Sequence, residues 1–227
     1  MNVLFEYGPL VLSGLETTVL LSLASLFLAM ILGMIGAILK LSPRSSLRVI
    51  GEGYTALVRG IPDLVLMLIV FFGGQTAINE IGFQTGLWDY VDISAFWAGV
   101  GTIGLIFGAY MTETFRGAYL ALPKGQIEAA VAAGFTKSQT FLHVVLPQII
   151  PLALPSFTNN WLVLLKTTAL VSIIGLQDVM YNANQAGRSS QEPFLFLILA
   201  FFIYLGLTLV SDTALKLLAR TYGAREK

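Results

Sequence analysis

The sequence predicts an all-α integral membrane protein with five transmembrane helices, and three observations carry that prediction. Hydrophobic residues make up 56% of the 227 and charged residues only 11%, with a mean hydropathy of +0.80, far from the balance of a soluble domain. Five apolar runs reach the roughly 20 residues needed to cross a hydrocarbon core. The charges are also sorted: ten of the 13 basic residues fall in segments that five spans place on one side. The positive-inside rule makes that side the cytoplasm, so the N-terminus is expected outside and the C-terminus inside.

The first run covers about Thr17 to Leu39. No basic stretch precedes it, and Glu6 and Glu16 come first, so it reads as a retained span and not a cleaved signal. Ala29, Gly33, Gly36 and Ala37 offer small residues for close helix contact. Lys40, Arg44 and Arg48 follow on the inner side. The second run, about Ile61 to Ile78, opens on Arg59-Gly60-Ile61-Pro62-Asp63. Proline in a first helical turn loses no needed hydrogen bond, Asp63 suits the helix dipole, and Arg59 is placed to snorkel toward headgroups. Gly82 to Asp92, with Trp88 and Tyr90, reads as a short external turn with an aromatic anchor. The third run is about Ser94 to Phe115, the fourth Leu152 to Gly175, and the fifth Pro193 to Lys216. No repeat or low-complexity linker divides the chain, so residues 1–227 are read as one domain.

Polar residues inside these runs are the candidate substrate path. Tyr110, Glu113, Thr114 and Gly117 share one face of the third span, and an acid at membrane depth is a functional-site hypothesis by default. The alternative for Glu113 is a helix-settling pair with Arg116 at i,i+3. The fourth span carries Pro151, Pro155, Asn159, Asn160, Trp161, Lys166, Thr167, Thr168 and Ser172, too polar to face lipid on all sides. Asn160, Thr167 or Thr168, and Val171 recur at helical spacing; Ser172 follows in the same polar run, and Lys166 lies off that stripe. Such groups either line a wet cavity or join spans without touching a ligand. Gln177 and Asp178 are expected at an outer mouth.

Between the third and fourth spans lies Pro123 to Pro147, PKGQIEAAVAAGFTKSQTFLHVVLP. Gln126 to Ala133 reads as a short helix stopped by Gly134. Thr136 and Gln139 then form a capping box for a second helix, Lys137 to Val145, with Pro147 beyond it. No G-x-x-x-x-G-K-[ST] loop, H-E-x-x-H or G-x-S-x-G occurs, there is no Cys, and His143 is the single His. The chain is therefore read as a non-enzyme without cofactor or metal. The even charge balance, 13 basic against 13 acidic, carries no nucleic-acid signature.

Glu128-Ala129-Ala130, three residues, Gly134, nine residues, Val144, one residue, Leu146-Pro147 resembles the EAA loop of ABC importer membrane subunits. Val144 stands where that family commonly has Ile. Nearly end to end the chain is similar to five-span permeases of polar amino acid uptake, through Arg59-Gly60-x-Pro62, Ala109-Tyr110-x-x-Glu113-x-x-Arg116-Gly117, Asn160-Trp161 and Lys166-x-Thr168-Ala169-Leu170-Val171-Ser172. Within that group it most resembles the Q-type subunit of histidine/lysine/arginine/ornithine importers of Gram-negative bacteria. The resemblance implies a type I ABC importer permease in the bacterial inner membrane. Its implied partners are an M-type permease or a second copy, two ATPase subunits that bind ATP and Mg, and a periplasmic amino-acid-binding protein. Gln126, Glu128, Ala129, Ala130, Ala133, Gly134 and Phe135 are then the ATPase-coupling surface. The implied cargo is a basic amino acid, with glutamine or another polar amino acid as the alternative and a non-transport membrane scaffold as the remote one.

Overall fold

The computed structural model describes residues 2–221, which form eight helices and no strand. These are α1 (Asn2–Leu41), α2 (Ser45–Gly60), α3 (Asp63–Thr85), α4 (Ala95–Leu120), α5 (Lys124–Ala132), α6 (Lys137–Ile174), α7 (Val179–Ser190) and α8 (Pro193–Thr221). Five of them, α1, α3, α4, α6 and α8, are long and apolar enough to cross a membrane, as the hydropathy predicts. Arg225 and Lys227, counted above among the inner charges, lie outside the described residues.

α1 begins well ahead of the expected Thr17. Its 40 residues span about 60 Å at 1.5 Å per residue, roughly twice the hydrocarbon thickness. α1 packs on α4 in parallel: Leu21 lies by Gly99, Leu28 by Gly104, Leu32 by Gly108 and Gly33 by Met111. Parallel packing follows from the topology, because first and third spans of a five-span chain run the same way. Small residues on both helices allow the approach. A Cβ at Gly33 or Gly36 would collide with Met111 or Thr112, and one at Gly108 would stand 2.7 Å from the Leu32 Cβ. The far side of α1 exposes Leu20, Leu23, Phe27, Ile31, Met34 and Ile38, a helical-spacing apolar stripe suited to lipid.

The core gathers around α4. Ile103, Ile106, Phe107 and Met111 are buried against Leu21, Met67, Leu164, Leu165 and Val171. A second cluster joins Val11 of α1, Val179, Ala183 and Ala186 of α7, and Phe196 and Ala200 of α8.

Three features depart from the sequence expectation. α2 and α7 are helices where connections were expected. α2 buries Gly51, Thr55 and Val58 but exposes Val49, Ile50 and Leu57 on another face. α7 is polar, yet it lies on α1: Asn182 Nδ2 donates to the Leu10 carbonyl at 2.9 Å and the Val179 amide to Thr18 Oγ1 at 3.2 Å. The third departure is α6, which does not stop at Pro147 before a separate span but runs from Lys137 to Ile174. A π-helical turn at Phe141–Val145 places Pro147 in the first turn of the following α-helical stretch, where its missing N–H is tolerated. Pro151 and Pro155 stay inside the helix, four residues apart, so the ladder loses its bonds along one row only. The last turns, Thr168–Ile174, tighten to 3-10 geometry and end at Gly175 with φ +86°.

Candidate functional site

A cavity of about 480 Å³ lies between α2, α4 and α6, lined by Arg59, Tyr110, Glu113, Thr114, Pro155, Ser156, Asn159 and Asn160. Four of the expected path residues, Tyr110, Glu113, Thr114 and Asn160, thus meet in one place. Asn160 Nδ2 donates to Thr114 Oγ1 at 3.0 Å, linking α6 to α4. The Arg59 guanidinium stacks 5.1 Å from the Tyr110 ring centroid, a cation–π contact. Arg59 therefore belongs to the cavity wall, where the sequence suggested a snorkelling residue. Only its spacing from Tyr110 in three dimensions reveals this.

Glu113 is already engaged on both oxygens. Lys40 Nζ donates to Oε1 at 2.5 Å, and Arg116 Nε and Nη2 donate to Oε2 at 3.0 and 2.8 Å. Lys40 also donates to Thr55 Oγ1 at 2.9 Å. The Arg116 pair is the helix-settling alternative read from spacing; Lys40, 73 residues away in sequence, is a partner that spacing does not show. A cationic group that reached Glu113 would compete with two resident cations. Among the described residues, the cavity's side-chain groups without a hydrogen-bond partner are those of Arg59, Tyr110, Ser156 and Asn159.

The other expected path residues lie elsewhere. Thr167 and Ser172 turn their hydroxyls back on the Val163 and Ala169 carbonyls of their own helix. Thr168 is fully buried and bonds the Leu165 carbonyl. Asp178 does not reach an outer mouth: it is fully buried and caps α7, accepting from the Tyr181 amide at 2.8 Å and from the Tyr204 hydroxyl at 3.3 Å. The cause is Gly14, whose missing side chain lets the Asp178 backbone press on α1; a Cβ there would stand 2.6 Å from the Asp178 carbonyl oxygen. Burial pushes the Asp178 carboxyl up to about 6, against the pull of its backbone and Tyr204 hydrogen bonds. Lys166 is exposed on α6 and has no ion pair among the described residues.

The bend read from Gly134 is present. α5 ends in a Schellman motif: the Gly134 amide bonds the Val131 carbonyl at 3.0 Å and the Phe135 amide the Ala130 carbonyl at 3.1 Å, with Gly134 at φ +84°. Thr136 and Gln139 form the reciprocal capping box. Ala130 is buried in the bend, while Gln126, Glu128, Ala129, Ala133, Gly134 and Phe135 are exposed. The result is a short, rigid, largely small-residue helix, projecting from the end of the bundle where Lys40, Arg116 and the C-terminus of α4 lie.

A five-span helical bundle with a polar cavity between its spans, and a rigid helical bend between two of them, is the architecture of a multi-pass membrane protein. The chain belongs to the family described as binding-protein-dependent transport system inner membrane component, which matches residues 17–223. It is 48% identical over 224 residues to the histidine/lysine/arginine/ornithine transport system permease protein HisQ of Salmonella typhimurium, covering 99% of this chain and 98% of that one. It is 39% identical over 214 residues to the arginine ABC transporter permease protein ArtQ of Haemophilus influenzae, covering 93% and 92%. Among solved structures, a chain described as an amino acid ABC transporter with histidines superposes with a TM-score of 0.81 at 30% identity, covering 96% of each chain. The fold is that of a type I ABC importer permease.

Proposed function

We propose that this chain is the permease subunit of an ATP-driven importer of basic amino acids, and that it forms part of the translocation path. The observation that carries the reading is the end-to-end identity of 48% with a permease named for histidine, lysine, arginine and ornithine transport. A homologous permease, or a second copy of this chain, completes the cavity on its open side. Two ATPase subunits hold ATP and Mg, and a periplasmic binding protein delivers the amino acid. The basic end of the bundle faces the cytoplasm of a bacterial inner membrane.

α5 is the coupling element in this reading. Exposed Ala129 and Ala133 allow close approach by a groove of the ATPase, while the Schellman bend and the capping box keep the helix from rotating independently of α6. Glu113 holds the protein together from within and is a weak candidate for direct cargo contact, because Lys40 and Arg116 already satisfy it. Purification of the tagged chain after co-expression with its ATPase and partner permease tests the assembly. Retention of the ATPase supports the reading, and a chain that inserts but retains none contradicts it.

A further inference from the structure

The geometry points to Lys40 as a positioning residue for energy coupling: its pair with Glu113 makes α1 and α2 follow α4 when the coupling helix is displaced. This rests on the importer reading above.

Lys40 is in the last turn of α1, and its one ammonium donates to Thr55 of α2 and Glu113 of α4, so three helices meet at a single nitrogen. Its side chain is 12% exposed and that of Glu113 24%, so water screens the pair little. Arg116 holds the carboxylate from the other side. α2 lies directly over the Lys40 stem, where a Cβ at Gly51 would stand 2.7 Å from Lys40 Cγ. Two turns beyond Glu113, α4 ends, and a turn closed by Ala121 and Leu122 amides on the Gly117 and Tyr119 carbonyls leads into α5. A push on α5 is therefore delivered to α4 through this turn, as it is to α6 through the Schellman bend.

What carries that push to α1 is the question the triad answers. Above it, α1 and α4 touch through small residues, and Thr112 spends its hydroxyl on its own helix at Gly108. Such van der Waals packing is non-directional and leaves axial sliding inexpensive. The charge-assisted pair is directional and is the only side-chain hydrogen bond between α1 and α4 among the described residues. The triad also stands between two cavities. Glu113 lines the one described above, whereas Lys40 and Arg116 line a second of about 630 Å³ with Arg48 and Glu52.

The test uses the whole complex, with its ATPase and binding protein, in sealed vesicles, and reads ATP hydrolysed per amino acid imported. Lys40→Met is expected to raise that ratio by about fivefold or more, the scale of a typical coupling free energy. Lys40→Arg, which keeps the charge, is expected to stay near the wild-type ratio. An unchanged ratio in Lys40→Met, or an equal rise in Lys40→Arg, overturns the inference. Where Lys40→Met does not assemble, Glu113→Gln, which keeps the side-chain shape and removes the charged acceptor, is read the same way. A second measurement needs no cargo. The chain has no Cys, so spin labels on cysteines introduced at exposed Ile38 and Leu120 report the α1 to α4 distance. It should hold constant between nucleotide-free and ATP-trapped wild type and shift in Lys40→Met; a shift already present in wild type overturns the inference. Absence of uptake by wild-type vesicles, with that distance behaving as expected, counts against the importer reading alone.

Discussion

Asp178 joins an apolar core to a helix terminus through one carboxylate. Ionised, it is the better cap for α7; buried, it is the costlier charge. Its folded value of about 6 lies above the ordinary 3.8, so the folded protein holds this proton more tightly than the unfolded chain. Stability from this group is full below about pH 4 and is lost as pH rises through 6. Asp178→Asn keeps an oxygen for the Tyr181 amide and removes the titration. Its thermal midpoint should exceed that of wild type above pH 6 and converge with it near pH 4; a variant less stable at both would contradict the argument. Gly14 is the other half of this contact. Gly14→Ala must push Asp178 and Val179 off α1, an overpacking cost of about 1–3 kcal/mol, whereas Gly53, with nothing within 4 Å of its Cβ position, should accept Ala without loss. Thermal unfolding of the two variants in detergent separates them. Nothing local in the sequence marks Asp178 as buried, because its neighbours Gln177 and Asn182 read as loop; the burial comes from Gly14, far away in the chain.

Among the elements, the bend between α5 and α6 was the most legible, because every interaction that makes it is local. Gly134, Thr136 and Gln139 act within five residues of one another. Gly134→Asp forces a side chain into a φ of +84° and puts a charge on the docking surface. It should cost about 1–2 kcal/mol locally and lower the amount of ATPase retained on the tagged chain while membrane insertion is unchanged; full retention would contradict the docking role. α7 and the unbroken α6 were not legible. A mostly polar helix of 12 residues carries only the short apolar row Val179, Ala183 and Ala186 to reveal it, and it forms because α1 supplies the partners for Asn182 and Val179. The prolines of α6 read as breaks, and the π turn that absorbs Pro147 leaves no sequence mark.

For the whole molecule, spans and their order followed from hydropathy and charge, since lipid imposes length and the basic residues gather at one end. The candidate path was half legible: residue type picked out Tyr110, Glu113, Thr114 and Asn160, and the fold brought them together. It could not assign partners, since Lys40 to Glu113 and Arg59 to Tyr110 depend on how α1 and α2 settle on α4. The central claim is that this bundle passes basic amino acids at the expense of ATP hydrolysed elsewhere. Uptake of labelled arginine, histidine and glutamine into sealed vesicles, carrying the complete complex with ATP on the ATPase side and binding protein on the other, tests it most directly. The account predicts ATP-dependent accumulation of arginine and histidine in excess of glutamine; ATP-dependent uptake of glutamine alone, or none of the three, would contradict it.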